Sequence, residues 1–217
     1  MMFRTIVGFL IVLVGCSGNQ QTSKGELQIE NGPNQHLGSK SGLLIDNGIN
    51  RGTSYTDSLG TDYNLRYIPI TITNDSTIPV HLQIAFSKEY DYPAAYGDEK
   101  FRVFLLPKEW ADTITITNSM FDELKNYIDR PLLNETIEPG EKCVVAIGTL
   151  YSRPTNCGVL PNALFLQNKG DLYHECDGLI NQDKSTNSQL ALGLKLDLCG
   201  RCTLIPCGQI SYPERLD

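Results

Sequence analysis

The sequence predicts a mostly β protein: two antiparallel sheets packed face to face, with one short helix and a C-terminal region stapled by disulfides. Three observations carry this. Several stretches alternate apolar and polar residues with a period of two. The alternation keeps one parity across a short four-residue turn, which a tight hairpin there could not bury on a single face. Six cysteines (Cys143, Cys157, Cys176, Cys199, Cys202 and Cys207) fall in the last third of the 217 residues.

Residues 16–40 are polar and lack periodicity, as expected of a flexible tether. Residues 41–62 form a lead-in rich in Gly, Asn and Ser, where only Gly42-Leu43-Leu44-Ile45 predicts a strand. The sandwich domain is expected over 63–217. Ile68, Ile70 and Ile72 alternate with polar or small partners, and after Asn74-Asp75-Ser76-Thr77 the row resumes at Ile78, Val80, Leu82, Ile84 and Phe86. A tight hairpin over 74–77 would set even residues against odd ones and point the two rows to opposite faces of one sheet. Two facing sheets bury both rows in one core, and that arrangement is preferred over a bulged hairpin. Pro69 and Pro79 suit strands whose proline positions face a free edge.

An inter-strand loop follows over 88–100, then an apolar strand from Phe101 to Leu106 that Pro107 ends. Ile114 and Ile116 predict a short strand. Met120, Phe121, Leu124, Tyr127 and Ile128 share one face of a helix expected over 119–129, capped by Asn118 or Ser119 and stopped by Pro131. Glu138-Pro139-Gly140-Glu141 is a turn with Pro and Gly in their preferred places. The nearly unbroken apolar run from Cys143 to Tyr151 predicts a strand buried on both faces. Regular pattern then fades from 152 to 189, apart from Ala163 to Leu166. Leu190, Leu192, Leu194, Leu196 and Leu198 form the cleanest alternation. A type II′ hairpin with Gly200 as its first central residue would set Leu196 opposite Ile205 and Leu194 opposite Cys207.

The chain carries 18 Lys and Arg against 25 Asp and Glu, a net charge of −7. That balance argues against nucleic acid as a partner and against polybasic attachment to membranes. The first residues supply another route to a membrane. Arg4 precedes a nine-residue apolar run, Ile6 to Val14, too short to span a bilayer and typical of an export signal. Leu13-Val14-Gly15-Cys16 closes it and resembles the lipobox of bacterial lipoproteins. The resemblance implies a signal peptide over 1–15 and lipid on Cys16, which becomes the first mature residue. It also implies a cell-envelope location, at the outer membrane because no Asp follows Cys16. A sandwich of immunoglobulin-like architecture on such an anchor is similar to many envelope lipoproteins, a likeness of architecture that fixes no activity.

An even number of remaining cysteines in an exported chain predicts three disulfides. Of 15 connectivities, Cys199–Cys202, Cys157–Cys176 and Cys143–Cys207 is the one expected. The alternative is a metal site built from His174, Cys176, Cys199 and Cys202. A redox role for the C-x-x-C fits less well, because the pair flanks a hairpin turn instead of opening a helix. His36 falls in the tether and His81 on the polar side of a strand. No serine-hydrolase, zinc-protease, P-loop or dinucleotide motif is present, and no cofactor or catalytic residue is expected. The binding candidate is the 88–100 loop, where Tyr90, Tyr92 and Tyr96 offer amphipathic surfaces and Asp91 and Asp98 can accept hydroxyls or hold calcium. The competing reading has these tyrosines covering the end of the core. Function is therefore expected to be non-enzymatic binding of an envelope protein or glycan. A hydrolase using carboxylates near the 152–189 loop is the enzymatic alternative.

Overall fold

The computed structural model describes residues 42–112, 116–129, 132–153, 157–167, 176 and 189–213. Its strands are β1 (Leu43–Asn47), β2 (Arg51–Thr56), β3 (Asp62–Asn74), β4 (Val80–Ala85), β5 (Tyr90–Asp91), β6 (Lys100–Leu106), β7 (Leu132–Ile137), β8 (Lys142–Ser152), β9 (Val159–Gln167), β10 (Gln189–Leu198) and β11 (Arg201–Ser211). Two α-helices, α1 (Glu109–Asp112) and α2 (Asn118–Ile128), and one 3-10 turn at Ala94–Tyr96 complete the described elements. The first sheet runs β1-β3-β8-β6-β5, with β2 continuing the β1 side of β3. The second runs β7-β4-β11-β10-β9. All pairings are antiparallel.

The two-sheet sandwich expected from parity is present. β3 lies in the first sheet and β4 in the second, and the even-numbered rows Ile68–Ile72 and Val80–Ile84 are buried in one shared core. The chain crosses between the sheets twice at the same corner, from β3 to β4 and from β7 to β8. Asn74 is buried there and ties the crossings together. Its Nδ2 donates to the Ile78 and Ile137 carbonyls at 2.8 Å, and its Oδ1 accepts from the Ser76 N–H and hydroxyl. Its own N–H donates to Glu141 O, and its carbonyl accepts from Gly140. Every polar group on this buried residue is thus satisfied, which a buried amide requires. The Glu138–Glu141 turn forms as expected, with Gly140 at φ 78° in the position a type II turn reserves for glycine.

β8 is buried on both faces as its composition predicts, and the structure supplies the cover that the sequence left unnamed. Its odd-numbered residues face the second sheet. Ala146 and Leu150 face an outer apolar layer with Leu65, Tyr67, Phe104, Trp110 and Leu124, which α1 and α2 close. Trp110 meets Tyr67 and Phe121 edge-on, at 5.5 and 6.2 Å between ring centroids. The helix expected over 119–129 is α2, which begins one residue earlier. Thr117 is its N-cap, without a side-chain bond to the helix backbone. The expected strand at Ile114 falls partly on 113–115, outside the described residues. Ile116 packs on the outer layer.

Several expectations need correcting. The sheet begins before residue 63: β1 and β2 both pair with β3, and β2 carries no sequence signal because RGTSYT lies at a border where apolar alternation is not required. Pro69 sits in an interior strand, not at a free edge. It is tolerated because β1 pairs with residues 70–74 and β2 with 62–67, so its missing N–H faces the gap between two neighbours. The C-terminal hairpin pairs Leu198 with Arg201 and Leu196 with Thr203, shifted by two residues. Its central residues are Cys199 and Gly200, both with positive φ (56° and 77°), the type I′ geometry whose twist matches the strands. The shift is even, so residues up to Cys207 keep their expected face, whereas beyond it Ile210, not Gln209 and Ser211, faces the core. Higher up, Leu192 pairs with Gly208 and Gly193 with Pro206, leaving Cys207 as the extra residue of a bulge.

Replacing Asn74 with Ala would strand the Ile137 carbonyl and the Ser76 N–H and leave Ile78 O with the Ser76 hydroxyl alone. At about 1–3 kcal/mol per unsatisfied buried group, some of it relieved by relaxation, the expected loss is roughly 3 kcal/mol in urea denaturation. Asn74→Asp should be no milder at neutral pH, because a carboxylate can donate to neither carbonyl. Gly208 has φ 136° and lies against β4, where a Cβ would overlap the Gln83 carbonyl. Gly208→Ala is expected to destabilise by about 2 kcal/mol or more in the same measurement.

Candidate functional site

The tyrosines of the 88–100 segment divide between core and surface. β5 and β6 form a wide hairpin, Tyr90 pairing with Phe101 and Asp91 with Lys100. Tyr90 stacks on Phe101 at 5.5 Å and its hydroxyl accepts from the Ser87 N–H at 2.9 Å. Tyr92 is buried edge-on against the same ring, at 5.3 Å. Burial pushes both phenols up. Tyr96 alone is exposed, and Asp98 is exposed beside it. Asp91 and Glu89 lie within 3.7 Å of Lys100, and Arg102 reaches Glu89 and Asp129. The hairpin therefore does not gather the five expected residues into one surface. Tyr90 and Tyr92 close the end of the core, and Glu89 and Asp91 meet neighbouring cations.

The cysteines pair differently from expectation. The disulfides are Cys157–Cys199 and Cys176–Cys202. Because Cys199 is a turn residue and Cys202 pairs with Asp197 inside the ladder, each reaches a separate partner outside the hairpin. Cys143 and Cys207 are thiols. Cys143 lies beside Glu135 of β7 and Cys207 beside Tyr90 of β5, so they have different surroundings and form no third bridge. The alternative metal set loses its sulfurs to these bonds, since a metal needs thiolates. His174 lies outside the described residues, as does most of the 152–189 loop. No group of three or more metal-ligating side chains occurs among the described residues.

A different surface gathers polar groups. β4 turns Val80, Leu82 and Ile84 inward, so His81 and Gln83 point out. β7 sets Thr136 beside His81 and Asn134 beside Gln83, while β11 sets Ser211 and Gln209 beside the same two residues. Two rows of three result, Thr136–His81–Ser211 and Asn134–Gln83–Gln209. They line a cleft of about 370 Å³, completed by Leu82 and Glu135. His81 Nδ1 and Thr136 Oγ1 are 2.9 Å apart. The amides and hydroxyls can each donate and accept, which suits a ligand that does both. Glu135 is the one carboxylate in the lining. The sequence placed His81 on a polar strand face but gave no sign of β7, whose LLNETI lacks clean alternation.

No protein-family model, curated protein or solved structure matches this chain.

Burial holds the Cys143 thiol well above its ordinary range, up to about 11, and also pushes up Cys207 at the centre of the core. Both should resist a thiol reagent at pH 8 in the folded protein and react promptly after denaturation, as absorbance-monitored labelling would report. Because unfolded thiols ionise first, this contribution to stability is fully present below about pH 9. It should decline as pH rises toward 11, lowering the urea midpoint.

Proposed function

We propose that this chain is a lipid-anchored, non-enzymatic binding module of the bacterial cell envelope, held at the outer membrane through Cys16 and offering the outer face of β7, β4 and β11 to a glycan. The anchor reading rests on the Leu13-Val14-Gly15-Cys16 motif behind a short apolar run. The binding reading rests on one observation: seven hydrogen-bonding side chains from three strands line the 370 Å³ cleft.

Neutral amides that donate and accept together match adjacent sugar hydroxyls, and strands hold them at fixed spacing. The cleft favours binding over hydrolysis, because glycoside cleavage ordinarily calls for two carboxylates flanking the bond and this lining has one. A protein partner that presents polar side chains to the same face is the second reading; the exposed Leu132 at the start of β7 favours it. No helix among the described residues is long and apolar enough to cross a membrane. Two acyl chains on one cysteine would make attachment stable, where a single chain binds reversibly.

Two measurements test the proposal. Cys16→Ala should abolish incorporation of labelled fatty acid and release the protein from carbonate-washed membranes. Retention with full label would refute the anchor. Co-sedimentation with purified cell-wall glycan should fall about tenfold in Gln83→Ala/Gln209→Ala, corresponding to roughly 1.4 kcal/mol for two lost hydrogen bonds. Equal sedimentation of parent and variant would refute the cleft as the binding surface.

A further inference from the structure

On the core-facing side of β3, the apolar row Ile72, Ile70, Ile68 gives way to Arg66, Asn64 and Asp62. The change comes where β9 begins. Thr149, beside Arg66 in the ladder, is buried and donates its hydroxyl to Val159 O at 2.6 Å. Beyond that bond the same face becomes a polar ledge, with Gly52 and Ser54 of β2 set beside Arg66 and Asn64 and both exposed.

Arg66 has no hydrogen-bond or ion-pair partner among the described residues, and its Nε is buried. The neighbouring cations are placed otherwise. Lys100 and Arg102 lie against carboxylates, and Arg153 donates to Asn64 Oδ1. The guanidinium occupies the space directly above Gly52, where a Cβ would overlap Nη1. One other buried side-chain polar atom lacks a partner among the described residues, Tyr92 Oη. Tyr92 lies close to Tyr151, which follows Thr149 on the same face of β8. The two orphaned groups thus flank one short stretch of β8.

An unpaired, partly desolvated guanidinium is costly, and a planar fork of N–H donors fits the paired oxygens of a carboxylate or phosphoryl group. We infer that Arg66 is an oxyanion-binding site, entered across the exposed ledge of β2 and cradled by Gly52. It is separate from the cleft on the outer face of the second sheet and does not depend on that reading. A ligand carrying a carboxylate or a phosphoryl group would place its oxygens on Nε and the Nη nitrogens.

Thermal melting of the full chain tests this, in chloride, acetate and inorganic phosphate at matched ionic strength. A saturable rise of about 3 °C is expected with at least one oxyanion. A response to acetate alone would assign a carboxylate, and one to phosphate alone a phosphoryl group. Arg66→Lys keeps the charge and stem but loses the fork, so it should fold and lose most of the rise. Gly52→Ala, which displaces the guanidinium, should do the same. No saturable response in the parent would overturn the inference. So would equal rises in parent and variants, which would mark general exclusion of the salt from the surface.

Discussion

One amide organises the sandwich. Asn74 sits where the chain leaves the first sheet for the second, and it binds main-chain groups of both crossings at that corner. Two sheets held only by apolar contact can slide, because dispersion and hydrophobic burial carry no direction. Hydrogen bonds from a buried residue have direction, and here they fix where β3 stops, where β4 starts and how β7 returns into β8. The facing rows then meet in one register. Burial makes the arrangement demanding, since each bond on Asn74 guards against an unpaired group.

From that corner the layers follow. The first sheet has no watery face in its middle, because α1 and α2 cover one side and the second sheet covers the other. The second sheet keeps one open side, and there the alternation of β4 delivers His81 and Gln83 to solvent. Polar side chains accordingly gather on the second sheet's outer side and at the end where the first sheet outruns β9. A fold with one doubly covered sheet has few other places for it.

Much of the architecture was legible because it depends on local period and parity. The rows Ile68–Ile72 and Val80–Ile84 announce strands, and their shared parity, which a tight hairpin would split between two faces, announces two sheets. The unbroken run of β8 announces cover on both faces. What stayed hidden depends on partners distant in the chain. RGTSYT and LLNETI become strands because β3 and β4 offer ladders to pair with, and neither carries a pattern of its own. The cysteine pairing turned on two residues of hairpin register: a type I′ turn puts Cys199 at the tip and Cys202 in the ladder. Tyr90 and Tyr92 admitted two readings, binding surface and cover for the end of the core, and the second holds, since a phenol packs on Phe101 as readily as on a ligand. The polar cleft combines three strands, one of which had no signal.

The border between β1 and β9 has a consequence for crowded copies of this protein. Asn47 reaches across to Leu164, donating to its carbonyl at 3.1 Å and accepting from its N–H at 2.8 Å, while Asn50 donates to Pro161 O. A side-chain amide thereby imitates a peptide unit and occupies the outward groups of an edge strand. A second molecule seeking to extend the sheet there would find its docking valences already filled. Concentrating such molecules on a two-dimensional surface would raise their encounter rate without offering this seam as a template for fibrils.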